Sequence, residues 1–161
     1  MNIEDIPYFE DPVDKIVPGL PIVERKQVLS IVYDPRNDAV LCMRWHEFGW
    51  RTFVNGGVEE TDVDLVEAGK REIHEETGYT DVRYVAEIGK VQAAFYNSYK
   101  KENRMMAATG LLFELVSDKR DLVDQSETAK HSAEWIPKSE TPSYITVDWQ
   151  LYLWEKVVEN I

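Results

Sequence analysis

The chain has 161 residues, 43% apolar and 11% aromatic, which is enough for one domain with a sizeable core and too few to expect two. A formal net charge of −12 disfavours non-specific binding to duplex nucleic acid, whose protein partners present a basic patch. No apolar run approaches the length that spans a bilayer, and the acidic start "MNIEDIPYFEDP" lacks the positive charge of a signal peptide, so a cytoplasmic protein with no membrane partner is expected.

Residues 1–21 carry Pro7, Pro12, Pro18 and Pro21 and read as an irregular N-terminal segment. "RKQVLSIVYD" then reads as a strand and "DAVLCMRW" as the next, with hairpin turn chemistry in "DPRND" between them. The lone Cys42 lies in the second strand, which excludes a disulfide framework and predicts a small core hydrophobe. "WRTFVNGG" alternates into a glycine pair. From Asp64 to Thr77, Leu65, Gly69 and Ile73 recur every four residues with Ala68 beside them, a helix with one buried stripe that Gly78 should stop.

"DVRYVAEIGKVQAAFYNS" and "RMMAATGLLFELVSD" read as strands joined by the polar loop "YKKEN", with Met105 and Met106 as strand residues. "KRDLVDQSETAKHS" is too polar for core, and "AEWIPK" reads as a short strand ended by Pro137. In the last segment Val147, Leu151, Trp154 and Val158 stand at helical spacing. Strands with one helix midway and another at the end predict an α+β fold, a mixed β-sheet between helices, with residues 1–161 forming a single domain.

On the central helix Glu72, Glu75 and Glu76 stand at i, i+3 and i+4, so their carboxylates share one face and repel by a few tenths of a kcal/mol per pair. Alone, that pattern reads as a solvated face, partly relieved by Arg71 one turn before Glu75. Three features point the other way: the apolar stripe fixes which face is buried, the acids lie beside it, and "NGGVEE" precedes the helix. Paired glycines bring backbone carbonyls close to a ligand. Carboxylates plus a carbonyl form an all-oxygen site of the kind Mg²⁺ or Mn²⁺ takes.

"REIHEETGY" also resembles the Nudix hydrolases, whose signature is G-x5-E-x7-R-E-U-x-E-E-x-G-U with U a bulky apolar residue. The second half matches without a gap from Arg71 to Gly78, with Tyr79 at the final U. The first half departs. With five residues intervening after Gly57 stands Val63, where a glutamate is expected; counting from Gly56 instead reaches Asp62 and leaves eight residues rather than seven before Arg71. This reads as a one-residue insertion in "EETDVD", with Asp62 as an acidic stand-in and either Asn55 or Gly56 supplying a metal-facing carbonyl.

The resemblance implies a sheet sandwiched between helices and hydrolysis of a nucleoside diphosphate linked to another moiety X, a small-molecule substrate, with Mg²⁺ or Mn²⁺ as cofactor. It assigns metal holding to Glu72, Glu75, Glu76 and Gly56, and gives Arg71 the task of orienting the carboxylates. The family often adds a glutamate from a late loop; Glu127 is the first choice and Glu134 the second, while His131 reads as a surface histidine. Substrate binding falls to aromatics flanking the glycine loop or the later strands, namely Trp45, Trp50, Phe53, Phe95 and Tyr96, of which one or two are expected to line a pocket. Arg44 and Arg51 could meet phosphate, although each reads first as a surface or strand-edge charge, and Arg51 is the one carried forward as a substrate-binding candidate. A homodimer is left open. The alternative is a catalytically weak Nudix-fold module that binds a nucleotide or a partner protein. Missing box carboxylates would favour that reading, and all three helix glutamates and the arginine are present.

Overall fold

A computed structural model describes residues 6–161. In chain order its elements are β1 (Tyr8–Glu10), β2 (Ile22–Asp34), β3 (Ala39–Trp45), β4 (Arg51–Thr52), β5 (Val54–Gly57), α1 (Leu65–Thr77), β6 (Val82–Asn97), β7 (Glu102–Leu115), α2 (Gln125–Thr128), β8 (His131–Pro137), α3 (Thr141–Tyr144) and α4 (Asp148–Val158). The strands form one mixed sheet in the order β1-β6-β7-β2-β3-β4, with β5 added to β2 and β8 to β3. β2 is the hub. It runs parallel to β7 from Ile22 against Asn103 to Tyr33 against Glu114. Its other edge takes β5 antiparallel over Gln27–Ser30 and meets β3 at Tyr33 and Asp34.

The run "VLSIV" explains the layers. Successive strand side chains point to opposite faces, so Val28 and Val32 pack with Ala68, Ile73 and Phe113 beneath α1, whereas Leu29 and Ile31 pack with Phe53, Leu153 and Trp154 beneath α4. A strand covered on both faces reads as a continuous apolar run rather than an alternating one. Ser30 breaks that run opposite Gly69, where a Cβ would lie 2.9 Å from the Ser30 hydroxyl oxygen and the Phe113 ring. The missing side chain lets α1 lie close on the sheet. Asp64 caps α1 by accepting from the Glu67 N–H at 2.8 Å, and Gly78, at φ 83°, ends it. Cys42 is buried and free, as expected.

Three expectations change. Within the supposedly irregular residues 1–21, Tyr8–Glu10 form a strand parallel to Gln92–Ala94, because the edge of β6 offers unpaired backbone groups; residues 1–5 lie outside the described residues. The buried face of α4 is Trp149, Gln150, Leu153, Trp154 and Val157, and Val158 is exposed. This helix is apolar on more than one stripe, and packing against the sheet chose between them. The polar run 119–132 contains His131, which is buried and opens β8 two residues earlier than predicted, since pairing with Trp45 of β3 satisfies its backbone. Among the described residues no helix is long and apolar enough to cross a membrane.

Candidate active site

Pairing of Val28 with Gly56 draws β5 under the second half of α1. A Cβ on Gly56 would sit 2.0 Å from the Glu72 carboxylate carbon, whereas one on Gly57 would meet nothing within 4 Å. The glycine needed for close approach is therefore Gly56. Glu72 and Glu76 turn inward and are buried, and the Glu75 side chain remains 49% exposed.

Arg71 joins the loop to the helix. Its Nη1 donates to Glu72 at 2.9 Å and to Glu75 at 3.1 Å, and its Nη2 donates to the Gly57 carbonyl oxygen at 2.9 Å. Its remaining fork grips Asp62 through two bonds of 2.9 Å. Asp62 also accepts from the Glu59 N–H at 2.8 Å, and Arg71 holds its carboxyl below the usual range. Val63 is 88% exposed. The extra loop residue is thus absorbed with Val63 turned outward and Asp62 turned in.

Burial sets the electrostatics of the two inward acids. It pushes Glu72 up to about 7, against the pull of Arg71 and with help from the charges of Glu75 and Glu127. Burial pushes Glu76 well above the usual range, reinforced by Glu72 and Glu127 and opposed by the Asn55 backbone. One carboxylate oxygen of Glu76 and the side-chain oxygens of Gln27 and Asn55 are buried without hydrogen-bond partners. Buried acceptors are normally paired, and three orphan oxygens on one cavity beside carboxylates make a donor set suited to a hard cation. Among the described residues, however, no three His, Cys, Asp or Glu side chains converge as metal ligands, and Glu72 and Glu75 each give an oxygen to Arg71.

These residues form one end of a cavity of about 460 Å³ that extends across the sheet towards the start of α4. Glu127, on α2, lines it and pairs through Oε2 with Nε2 of His131 at 3.0 Å. His131 packs edge-on to Trp45 at 4.8 Å, and burial pulls its pKa below the ordinary value, so it is an interior residue rather than the surface histidine expected. Glu134 lies outside the cavity and accepts from the Tyr144 hydroxyl at 2.6 Å.

Trp50 and Phe95 line the cavity, as does Trp45. Three candidates do not. Phe53 is fully buried and stacks on Trp154 at 5.7 Å, because alternation along β4 and β5 turns it into the core. Arg51 spends its guanidinium on the Tyr144 carbonyl oxygen at 2.7 Å and on the Tyr144 ring. Tyr96 also lies outside. Gln27, Tyr99, Arg104 and Gln150 line the cavity without having been singled out. For Arg104 the sequence held a signal: it shares alternation with Met106 and Ala108, so a charge falls at an inward-facing strand position.

A family model described as the NUDIX domain matches residues 23–154. The chain belongs to the Nudix family. Nudix domains are hydrolases that act on nucleoside diphosphate derivatives. Comparison with curated proteins returned no match. Similar solved structures include the NUDIX domain of Shewanella oneidensis NrtR complexed with ADP ribose, at 16% identity and TM-score 0.62, covering 86% of this chain and 88% of that one. The Escherichia coli dihydroneopterin triphosphate pyrophosphohydrolase is 16% identical with TM-score 0.64 over 86% and 99% of the two chains. A Caenorhabditis elegans Ap4A hydrolase complex is 14% identical with TM-score 0.65 over 84% and 96%. At these identities the likeness establishes the shared Nudix fold, a mixed sheet between helices.

Proposed function

We propose that this Nudix protein is a divalent-cation-dependent hydrolase that splits a phosphoanhydride in a nucleoside diphosphate linked to a further moiety X. The observation that carries the reading is Glu76, buried with one oxygen unpartnered, beside Glu72 and the orphan oxygens of Gln27 and Asn55 on one cavity. Glu72, Glu75, Glu76 and the Gly56 carbonyl are the residues that would hold Mg²⁺ or Mn²⁺. Such ions neutralise a diphosphate and lower the pKa of bound water.

The chain's own residues supply the rest. Arg71, braced by Asp62, orients Glu72 and Glu75. Glu127, fixed by His131, accepts a proton as water attacks phosphorus, the bridging P–O bond breaks, and the leaving phosphate carries the electron pair away. Trp50 and Phe95 shape the wall against which the rest of the substrate lies. Compounds as different as ADP ribose, Ap4A and dihydroneopterin triphosphate appear in the names of similar structures, which agrees with this class and leaves X to the cavity.

The test is a panel of nucleoside diphosphate derivatives assayed with Mg²⁺ and then Mn²⁺, alongside melting temperature with and without each ion. Glu76→Gln should lower turnover on any responsive substrate by at least about a hundredfold, in the range that loss of one preorganised charge costs. Each ion should raise the melting temperature of the wild type more than that of a Glu72→Gln/Glu76→Gln variant. Absence of product with every member, with equal melting shifts in both proteins, would replace the hydrolase by a binding module.

A further inference from the structure

The long cavity has two charged ends. At one stand Glu72, Glu75 and Glu76. At the other, where the turn between β6 and β7 closes, stand Lys100 and Arg104. The register of the sheet gives the offset of the two backbone positions along β2: Arg104 lies opposite Val23, and Gly57, on the other edge, lies opposite Gln27. The four residue steps from Val23 to Gln27 amount to roughly 13 Å at about 3.3 Å per residue. The space between the ends is walled by Trp45, Trp50 and Tyr99, with the last two rings 5.9 Å apart.

Arg104 is only 14% exposed, and among the described residues its single polar contact is Nε donating to Glu102 at 3.0 Å. A guanidinium carries five N–H donors in a fixed fork. The four donors on its two terminal nitrogens have no protein acceptor in a cavity they help to line. The acids near this end are differently engaged. Asp11 caps the N–H groups of Val13 and Asp14 at 2.8 Å, and Asp14 accepts from the Trp50 indole at 3.2 Å. A nearly buried fork with free donors matches an oxyanion, which it grips through two parallel bonds.

We propose that X carries an anionic group, a phosphate or a carboxylate, and that Arg104 with Lys100 is the clamp that selects it. This rests on the hydrolase reading above. The carboxylate end takes the scissile diphosphate, and the clamp, whose backbone position lies about 13 Å along the strand direction, takes an oxyanion one or more linkages beyond it. X accordingly extends along the aromatic wall, and substrates with a neutral X leave the Arg104 fork unpaired.

Two matched pairs test this: UDP-glucuronate against UDP-glucose, which differ at a carboxylate, and diadenosine tetraphosphate against diadenosine diphosphate, which differ in phosphates. The wild type should favour the anionic member of at least one pair in kcat/KM by roughly ten- to hundredfold, the range for a charge-assisted bond. Which pair responds identifies the oxyanion. Arg104→Gln should erase that preference while keeping turnover of the neutral member. A Glu102→Gln/Arg104→Gln variant, which leaves no unpaired carboxylate, should behave alike, and Arg104→Lys should retain part of the preference. No preference in either pair, or an Arg104→Gln loss equal for both members, overturns the proposal. Should neither these four compounds nor any member of the wider panel turn over, with equal melting shifts in the wild type and the Glu72→Gln/Glu76→Gln variant, the hydrolase reading fails. Calorimetric titration of the metal-free protein with inorganic tripolyphosphate then decides the clamp: weaker binding to Arg104→Gln keeps it, and equal binding or none removes it.

Discussion

Replacing Gly56 by alanine tests the geometry of the glycine loop with one methyl group. The new Cβ would lie 2.0 Å from the Glu72 carboxylate carbon, and ordinary contact begins near 3.4 Å, so the two must separate by 1.4 Å, the difference. Glu72 can yield only by leaving Arg71, its partner at 2.9 Å, or β5 must lift from β2, where Gly56 pairs with Val28. Overpacking of this kind costs about 1–3 kcal/mol of stability. The functional cost should be larger, since a misplacement of about 1 Å at a reacting centre is worth roughly a hundredfold in rate. Gly57→Ala is the internal control: the same methyl meets nothing within 4 Å, and the Gly57 carbonyl that Arg71 uses is unchanged. Turnover of a responsive substrate and the Mn²⁺-induced rise in melting temperature should both collapse in Gly56→Ala and stay near wild type in Gly57→Ala. A fully active Gly56→Ala enzyme, or equal losses in both variants, would refute the assignment of Gly56 as the position closing on Glu72.

Asp62→Ala should lower activity through a loosened Arg71, by less than Glu76→Gln does, and Val63→Ala should be silent because that side chain points to solvent; a silent Asp62→Ala would separate the loop from the site. Without metal, stability should fall as pH rises from about 4.5 to about 7, because unfolded Glu72 loses its proton near 4.5 and the folded one near 7, so the native state binds more protons in that window. At about 1.4 kcal/mol per pH unit this is roughly 3 kcal/mol from Glu72, with Glu76 acting in the same direction. His131, whose pKa burial lowers, acts oppositely below about 6.5, so the quantity to measure by urea denaturation in chelator is wild type minus Glu72→Gln/Glu76→Gln; a difference that is flat or rises with pH contradicts the argument. His131→Leu should reduce turnover by about tenfold or more, yet add nothing to Glu127→Gln, since the histidine acts through that carboxylate; additive losses in the double variant would show that it does not.

The sequence by itself determined which carboxylates the candidate site brings together and much of the frame. Spacing on one helix put Glu72, Glu75 and Glu76 together. The apolar run of β2 announced a core strand, and Asp64 and Gly78 bounded the helix between them. These are local facts: helical periodicity, strand alternation and capping act over a few residues and survive without knowledge of the partner. Which aromatic faces the cavity is not local. Phe53 and Trp50 are three residues apart and equally apolar, but the pleat that carries Phe53 into contact with Trp154 leaves Trp50 beside Asp14, 36 positions earlier in the chain. The buried face of α4 was decided in the same way, by the sheet beneath it. His131 looked like a surface residue because its neighbours are polar, and only pairing with β3 brings it inside to meet Glu127. Arg104 was visible as a charge at an inward strand position, but its free fork exists because β7 lies beside β2 at a register that no single segment encodes. Packing between distant elements selects among faces that local periodicity leaves equivalent, and the residues proposed to read the substrate belong to those selected faces.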